Sequence, residues 1–130
     1  MAQSDAEILR AGYEAFANGD VPAVLALFAE DITFDVPGNS AVSGHYEGHQ
    51  EVVGFFEKLG ELSGGTFRVV VQEIFDNGTG TCPALCTLEA ERNGRQSSFD
   101  TVQVWRFEGG KAVGFREFND DQAGLDEFWS

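Results

Sequence analysis

The sequence predicts an α+β domain, with helices gathered ahead of a largely antiparallel sheet. Three observations carry that expectation. Apolar residues first recur at three- and four-residue spacing, the period of a helix face. Beyond Ser63-Gly64-Gly65 the period falls to two, and Asp76-Asn77-Gly78, Asn93-Gly94 and Glu108-Gly109-Gly110 punctuate the chain at hairpin distances. A length of 130 residues, 42 % apolar with twelve Phe, suits one core and a single domain over 1–130. Helices that precede strands in this way cover one face of the sheet.

Each element has its own signal. Ser4 and Glu7 form a capping-box pattern, followed by Ile8, Leu9, Gly12, Tyr13 and Phe16 at helical spacing, with Gly19 as the stop. Asp20 caps a second helix, with Pro22 in its first turn and Val24, Leu25, Leu27 and Phe28 as its apolar stripe. Residues 32–36 read as a short strand ended by Pro37-Gly38. A polar loop from Asn39 to Glu47 then leads to a third helix that buries Val52, Val53, Phe55, Phe56 and Leu59. Four strands follow at 67–75, 80–92, 96–107 and 111–119, and an acidic tail ends in Phe128 and Trp129, which dock back on the body. The order is α-α-β-α-β-β-β-β.

Hairpin geometry assigns the faces. A two-residue turn at Asn93-Gly94 sets Leu88 opposite Phe99, Cys86 opposite Thr101 and Ala84 opposite Gln103. The next hairpin allows two registers. A three-residue loop with a glycine bulge puts Phe99, Thr101, Gln103 and Trp105 on one surface with Val113, Phe115, Glu117 and Asn119. A two-residue loop at Gly109-Gly110 puts Arg116 and Phe118 there instead. Under the first register a carboxylate and two amides sit among aromatics on the helix-covered face. The opposite face, with Val102, Val104 and Phe118, is half apolar, which predicts a homodimer through the outer sheet face.

The charge of −14, from 22 acidic against 8 basic residues, repels phosphate backbones and anionic membrane surfaces, so neither nucleic acid nor membrane is an expected partner. The polar, acidic stretch from Met1 to Glu7 is neither a signal nor a transit peptide, and a cytoplasmic location is expected. Cys82 and Cys86 lie on one strand, their Cα atoms roughly 13 Å apart at about 3.4 Å per residue, too far for a disulfide. They are read as reduced thiols. His45 and His49 are four apart, but Gly44 and Gly48 interrupt them, so no metal site is predicted.

In order and spacing, Asn18-Gly19-Asp20, Leu27-Phe28-Ala29-Glu30-Asp31, Tyr46-Glu47-Gly48, Phe55-Phe56 and the run Val102 to Phe107 before Gly110-Lys111 resemble the SnoaL-like branch of the nuclear-transport-factor-2-like superfamily. That branch sits beside the ketosteroid isomerases, limonene epoxide hydrolases and polyketide cyclases. The resemblance covers nearly the whole chain. It implies a strongly bent sheet wrapped by three helices into a cone around one hydrophobic pocket, frequent dimers, and the three-residue hairpin register. The position of the isomerases' catalytic tyrosine falls on Gly12, one place from Tyr13. That of their base falls on Val36, one place from Asp35, and that of their protonated aspartate on Gln103, so steroid isomerisation in that form is not expected. No Asp-Arg-Asp arrangement of the epoxide hydrolases is present. The last strand of SnoaL-like cyclases carries acid/base groups at positions matching Phe115 and Glu117, and only Glu117 is ionisable here.

Glu117 is therefore the leading acid/base candidate, since enclosure raises a carboxyl toward neutral pH. Asp35 is the second, if a bulge before Pro37 turns it inward, and Tyr13 the third, as a hydroxyl donor. Gln103 and Asn119 are candidate donors to a carbonyl, and Trp105, Phe115, Phe56, Thr101 and Val36 candidate lining. Two functions of different class follow. One is a cofactor-independent acid/base enzyme, of isomerase, cyclase or hydratase/hydrolase type, acting on a hydrophobic oxygenated small molecule. The other is a non-catalytic binding or accessory dimeric domain of the same fold. The enzyme is preferred, because a Glu enclosed beside amides is costly in a passive pocket.

Overall fold

A computed structural model describes residues 3–130; Met1 and Ala2, the first residues of the acidic N-terminal stretch, lie outside the described residues. Helix α1 (Asp5–Ala17) starts on the expected capping box, Ser4 Oγ accepting from the Glu7 amide and Glu7 from the Ser4 amide. Ile8 and Leu9 are its buried residues. Helix α2 (Val21–Ala26) is capped by Asp20, with Pro22 in its first turn. It ends before Phe28, which was expected on its stripe. Phe28 instead opens strand β1 (Phe28–Val36), because the chain is already pairing with the last strand: the Ala112 amide donates to Leu27 O, and Phe28 stands beside Ala112.

The loop expected from Asn39 to Glu47 closes with a short strand, β2 (Gly44–Glu47), antiparallel to β1. Its sequence, Gly-His-Tyr-Glu, has no alternating apolar pattern; pairing with β1 makes it a strand. Helix α3 (Gly48–Leu62) buries Val52, Phe55 and Leu59, with Val53 and Phe56 half-buried, and packs over β1 and β2. Strands β3 (Arg68–Ile74), β4 (Thr81–Arg92), β5 (Arg95–Glu108) and β6 (Lys111–Asn119) follow, and the tail forms helix α4 (Gln122–Phe128), capped by Asp121. Phe128 and Trp129 do dock back, at 5 % and 4 % exposure.

The six strands form one sheet in the order β2-β1-β6-β5-β4-β3, antiparallel throughout except where β1 runs beside β6. Asn93 and Gly94 both have positive φ, 54° and 77°, as a two-residue hairpin turn needs, and the expected pairs Leu88–Phe99, Cys86–Thr101 and Ala84–Gln103 form.

The β5–β6 hairpin combines features of both expected registers. Its turn has two residues, Gly109 and Gly110 at φ 57° and 80°, with Glu108 opposite Lys111 and Phe107 opposite Ala112. The register then shifts, and Arg106 faces Gly114, leaving Val113 as the extra residue of a bulge. Ala112, not Val113, is therefore the buried residue next to the turn, whereas Trp105–Phe115, Gln103–Glu117 and Thr101–Asn119 pair as the first register required. The bulge expected inside the loop lies in the strand.

The core fills the space between the sheet's inner face and the helices. Phe34 is its hub, stacked on Phe115 at 4.4 Å between centroids and edge-on to Trp105 at 5.5 Å. On β4 the inward residues Cys82, Ala84 and Cys86 are small and fully buried. The outer face keeps Val70, Leu85 and Phe118 exposed.

Candidate functional site

Strands β5 and β6 each turn every second residue inward, so Gln103 and Trp105 stand beside Glu117 and Phe115. Helix α1 brings Tyr13 down on the same spot. The Trp105 Nε1–H donates to Tyr13 Oη at 2.8 Å, and Tyr13 donates to Gln103 Oε1 at 2.6 Å. Gln103 Nε2 in turn donates to Glu117 Oε1 at 3.4 Å. Every donor in this chain points toward the carboxylate, an arrangement in which each bond polarises the next. From the other side Asn119 Nδ2 donates to Glu117 Oε2 at 3.1 Å and to Gln122 Oε1 at 2.8 Å.

Burial raises the Glu117 carboxyl above its ordinary value, and the bonds from Asn119 and Gln103 restrain that rise. Burial, followed by the neighbouring Cys86, raises the Tyr13 hydroxyl well above its ordinary value. The Cys86 thiol, 3.8 Å from Tyr13 Oη, is pushed up to about 11, mainly by burial. A carboxyl so placed can exchange protons closer to neutral pH than a solvated Glu, while the phenol and thiol stay protonated.

Asn119 contributes one more feature. Both of its N–H groups are used, and its buried Oδ1 has no partner among the described residues. Rotating the amide would set that oxygen against Glu117 and Gln122 Oε1. Gln122 cannot rotate to compensate, because its own Nε2 donates to Pro37 O and Asp126 Oδ1.

These groups open on a cavity of about 90 Å³ between the sheet and helices α1, α3 and α4. Its wall is mostly apolar, with Phe34, Phe56, Trp105, Phe115, Leu125 and Trp129 among the lining. Its polar side chains are Tyr13, Ser40, Gln103, Glu117, Asn119 and Gln122, and among the described residues no Lys, Arg or His lines it.

Of the residues singled out from sequence, Glu117, Tyr13, Gln103, Asn119, Trp105, Phe115, Phe56 and Val36 meet at this cavity. Thr101 and Asp35 do not. Thr101 is buried beyond the polar cluster, where its Oγ1 donates to Phe118 O. No bulge turns Asp35 inward: Phe34 and Val36 are buried, and Asp35 faces outward, 2.6 Å from His45 Nδ1 with its side chain 49 % exposed. Tyr13 reaches the cluster with its proton already committed to Gln103, so it cannot offer that proton to a ligand in this arrangement. Gln122 was missed, although the Asp121 cap and the spacing of Leu125, Phe128 and Trp129 signal the helix that carries it. His49 Nε2 lies 3.1 and 3.0 Å from Phe28 O and Ala29 O, away from His45, and no group of three His, Cys, Asp or Glu comes together among the described residues.

Residues 9–115 match the SnoaL-like domain family. Bal32a, from a soil-derived mobile gene cassette, is similar in structure at a TM-score of 0.94 and 31 % identity, with 97 % of this chain and 96 % of that one covered. The uncharacterized protein Rv0034 of Mycobacterium tuberculosis is 28 % identical over 127 residues, 98 % of this chain and 97 % of that one. A more distant fold relative at 22 % identity and a TM-score of 0.77, covering 92 % of this chain and 98 % of that one, is Rv0760c of Mycobacterium tuberculosis, solved in complex with estradiol-17β-hemisuccinate.

Proposed function

This chain belongs to the SnoaL-like domain family, and from that premise we propose that it is a cofactor-independent acid/base enzyme of isomerase or cyclase type acting on a hydrophobic, oxygenated small molecule. The observation that carries the reading is Glu117: a carboxyl in an apolar cavity, held by two amides and facing no cation among the described lining residues. In the proposed step Glu117 removes a proton from a carbon beside a carbonyl. The C–H electron pair moves onto the carbonyl oxygen, and the same carboxyl returns the proton at another carbon, so atoms balance without a redox partner. The second Gln103 N–H, which has no partner among the described residues, is available to that oxygen. Tyr13 and Trp105 act as positioning residues, through Gln103. The steroid conjugate bound by Rv0760c supports a ligand of flat, apolar skeleton.

Thermal-shift screening with ketones, lactones, epoxides and polycyclic phenols identifies the skeleton that binds. Carbonyl compounds that bind are then incubated in heavy water. Wild-type protein is expected to exchange protons next to the carbonyl, and Glu117→Gln to lower that rate by about a hundred-fold or more while still binding. Exchange at the wild-type rate in Glu117→Gln would remove the assignment, and binding without exchange in either protein would leave the non-catalytic binding domain.

The same proposal includes a cytoplasmic homodimer. The outer row Leu85-Val102-Phe118, with Val70 exposed nearby, supports the dimer, and two free buried cysteines agree with a reducing compartment. Among the described residues no helix is long and apolar enough to cross a membrane. Sedimentation of wild type and Phe118→Glu is expected to give a dimer and a monomer; a monomeric wild type would end that part of the reading.

A further inference from the structure

Counting protons around Glu117 shows which kind of ligand the cavity lacks. The Trp105 N–H goes to Tyr13, the Tyr13 O–H to Gln103, one Gln103 N–H to Glu117, and both Asn119 N–H groups to Glu117 and Gln122. What remains is the second Gln103 N–H and, around Asn119, a surplus of acceptors. Asn119 Oδ1 is buried with no donor, and beside it each Glu117 oxygen takes a single bond. An unpaired buried acceptor is costly, and a ligand group that brings a proton to it removes that cost. A carbonyl or ether would set a second oxygen against the first.

We infer that Asn119 is the specificity-determining residue of this cavity, its Oδ1 accepting from an alcohol, enol or phenol O–H of an uncharged, otherwise apolar ligand. The inference rests on the reading of the cavity as a small-molecule site. It excludes anionic ligands as well, because Glu117 stands in the lining and no Lys, Arg or His among the described residues does. Combined with the proton-transfer step, it narrows the substrate class to hydroxylated carbonyl compounds: the hydroxyl anchors on Asn119, and the carbon acid lies within reach of Glu117.

Three probes with one two-ring skeleton separate the possibilities: tetralol, tetralone and tetralin, titrated calorimetrically into the full chain in alkaline buffer, where Glu117 is ionised. Wild type is expected to bind tetralol about ten-fold more tightly than tetralin, which corresponds to about 1.4 kcal/mol. Tetralone, which can accept from the free Gln103 N–H, is expected to bind alike in wild type and in the Asn119 variants. In Asn119→Leu the tetralol-to-tetralin ratio should collapse to about one with tetralin affinity retained, and melting temperature reports whether the variant is folded. Asn119→Ala, which also removes the oxygen but adds no bulk, carries the same expectation. Equal binding of tetralol and tetralin by wild type, as an ordered water on Oδ1 would produce, overturns the inference alone. A ratio that survives in either folded variant also overturns it. Failure of all three probes to bind overturns the small-molecule reading together with the inference. A clear hydroxyl preference without heavy-water exchange keeps this inference and removes the catalytic one.

Discussion

Asp35 and Glu117 are carboxylates on adjacent, paired strands, yet they occupy opposite chemical worlds. In the ladder Asp35 stands beside Arg116, the immediate neighbour of Glu117, so one residue of register separates them. Asp35 faces water and holds His45, whose pKa its hydrogen bond raises. Glu117 faces the cavity, where burial raises its own pKa and only amides answer its charge. The identity of the acid matters less than the side of the sheet it is given: outside, it becomes half of an exposed pair of small energetic weight, and inside, a buried carboxyl with a raised pKa.

The largest test of that contrast is kinetic. Glu117→Gln is expected to lower turnover by about a hundred-fold or more, and Asp35→Asn by less than about two-fold, in the same exchange assay. Comparable losses in both would erase the distinction between the faces.

Removing the inner support without touching the acid should come next. Gln103→Leu takes one hydrogen bond from Glu117 and strands the Tyr13 proton, so kcat should fall roughly ten- to a hundred-fold. The acid limb of the rate profile should also move. In wild type it should lie above the ordinary glutamate value of about 4.3, because the base works only once deprotonated. In Gln103→Leu it should lie higher still, since a bond that favoured the charged form is gone. A lower kcat with an unmoved limb would reduce Gln103 to packing.

The smallest expected effect is on stability. A carboxyl whose folded pKa is raised contributes stability that is complete below its unfolded pKa and is lost as pH rises through the folded one. Glu117→Gln lacks that dependence. Its melting temperature should therefore gain on wild type by a few degrees between about pH 4 and neutrality. A flat difference for Glu117→Gln would argue that its carboxyl is solvated.

How much of this could be read in the chain depended on how local each signal was. The β4–β5 pairing was legible because Asn93-Gly94 dictates its own turn, and everything up to Ala84–Gln103 follows by counting. The capping box at Ser4 and the Asp20 cap were legible for the same reason. Strand β2 was not, because its partner lies across a loop and its residues carry no period. The side on which Glu117 falls hung on the bulge at Val113, which nothing in Lys111-Ala112-Val113-Gly114 announces. Two open registers and a family likeness gave the correct face for Phe115, Glu117 and Asn119 and the wrong one for Val113. The orphaned oxygen of Asn119 depends on the orientation of Gln122, and no sequence pattern encodes that.

The bulge at Val113 also sets how this hairpin tolerates changes in length over descent. Because Val113 is surplus to the pairing, a lineage could lose one residue between Ala112 and Gly114 and keep Glu117 indoors, surrendering local curvature but not the register beyond it. A single-codon loss between Phe115 and Glu117 has no such slack. It would draw the strand beyond it across by one place, so that Phe118 takes the inward position of Glu117 and the acid leaves the cavity. Deletions a few residues apart thus leave the cavity its carboxyl in one place and take it away in the other.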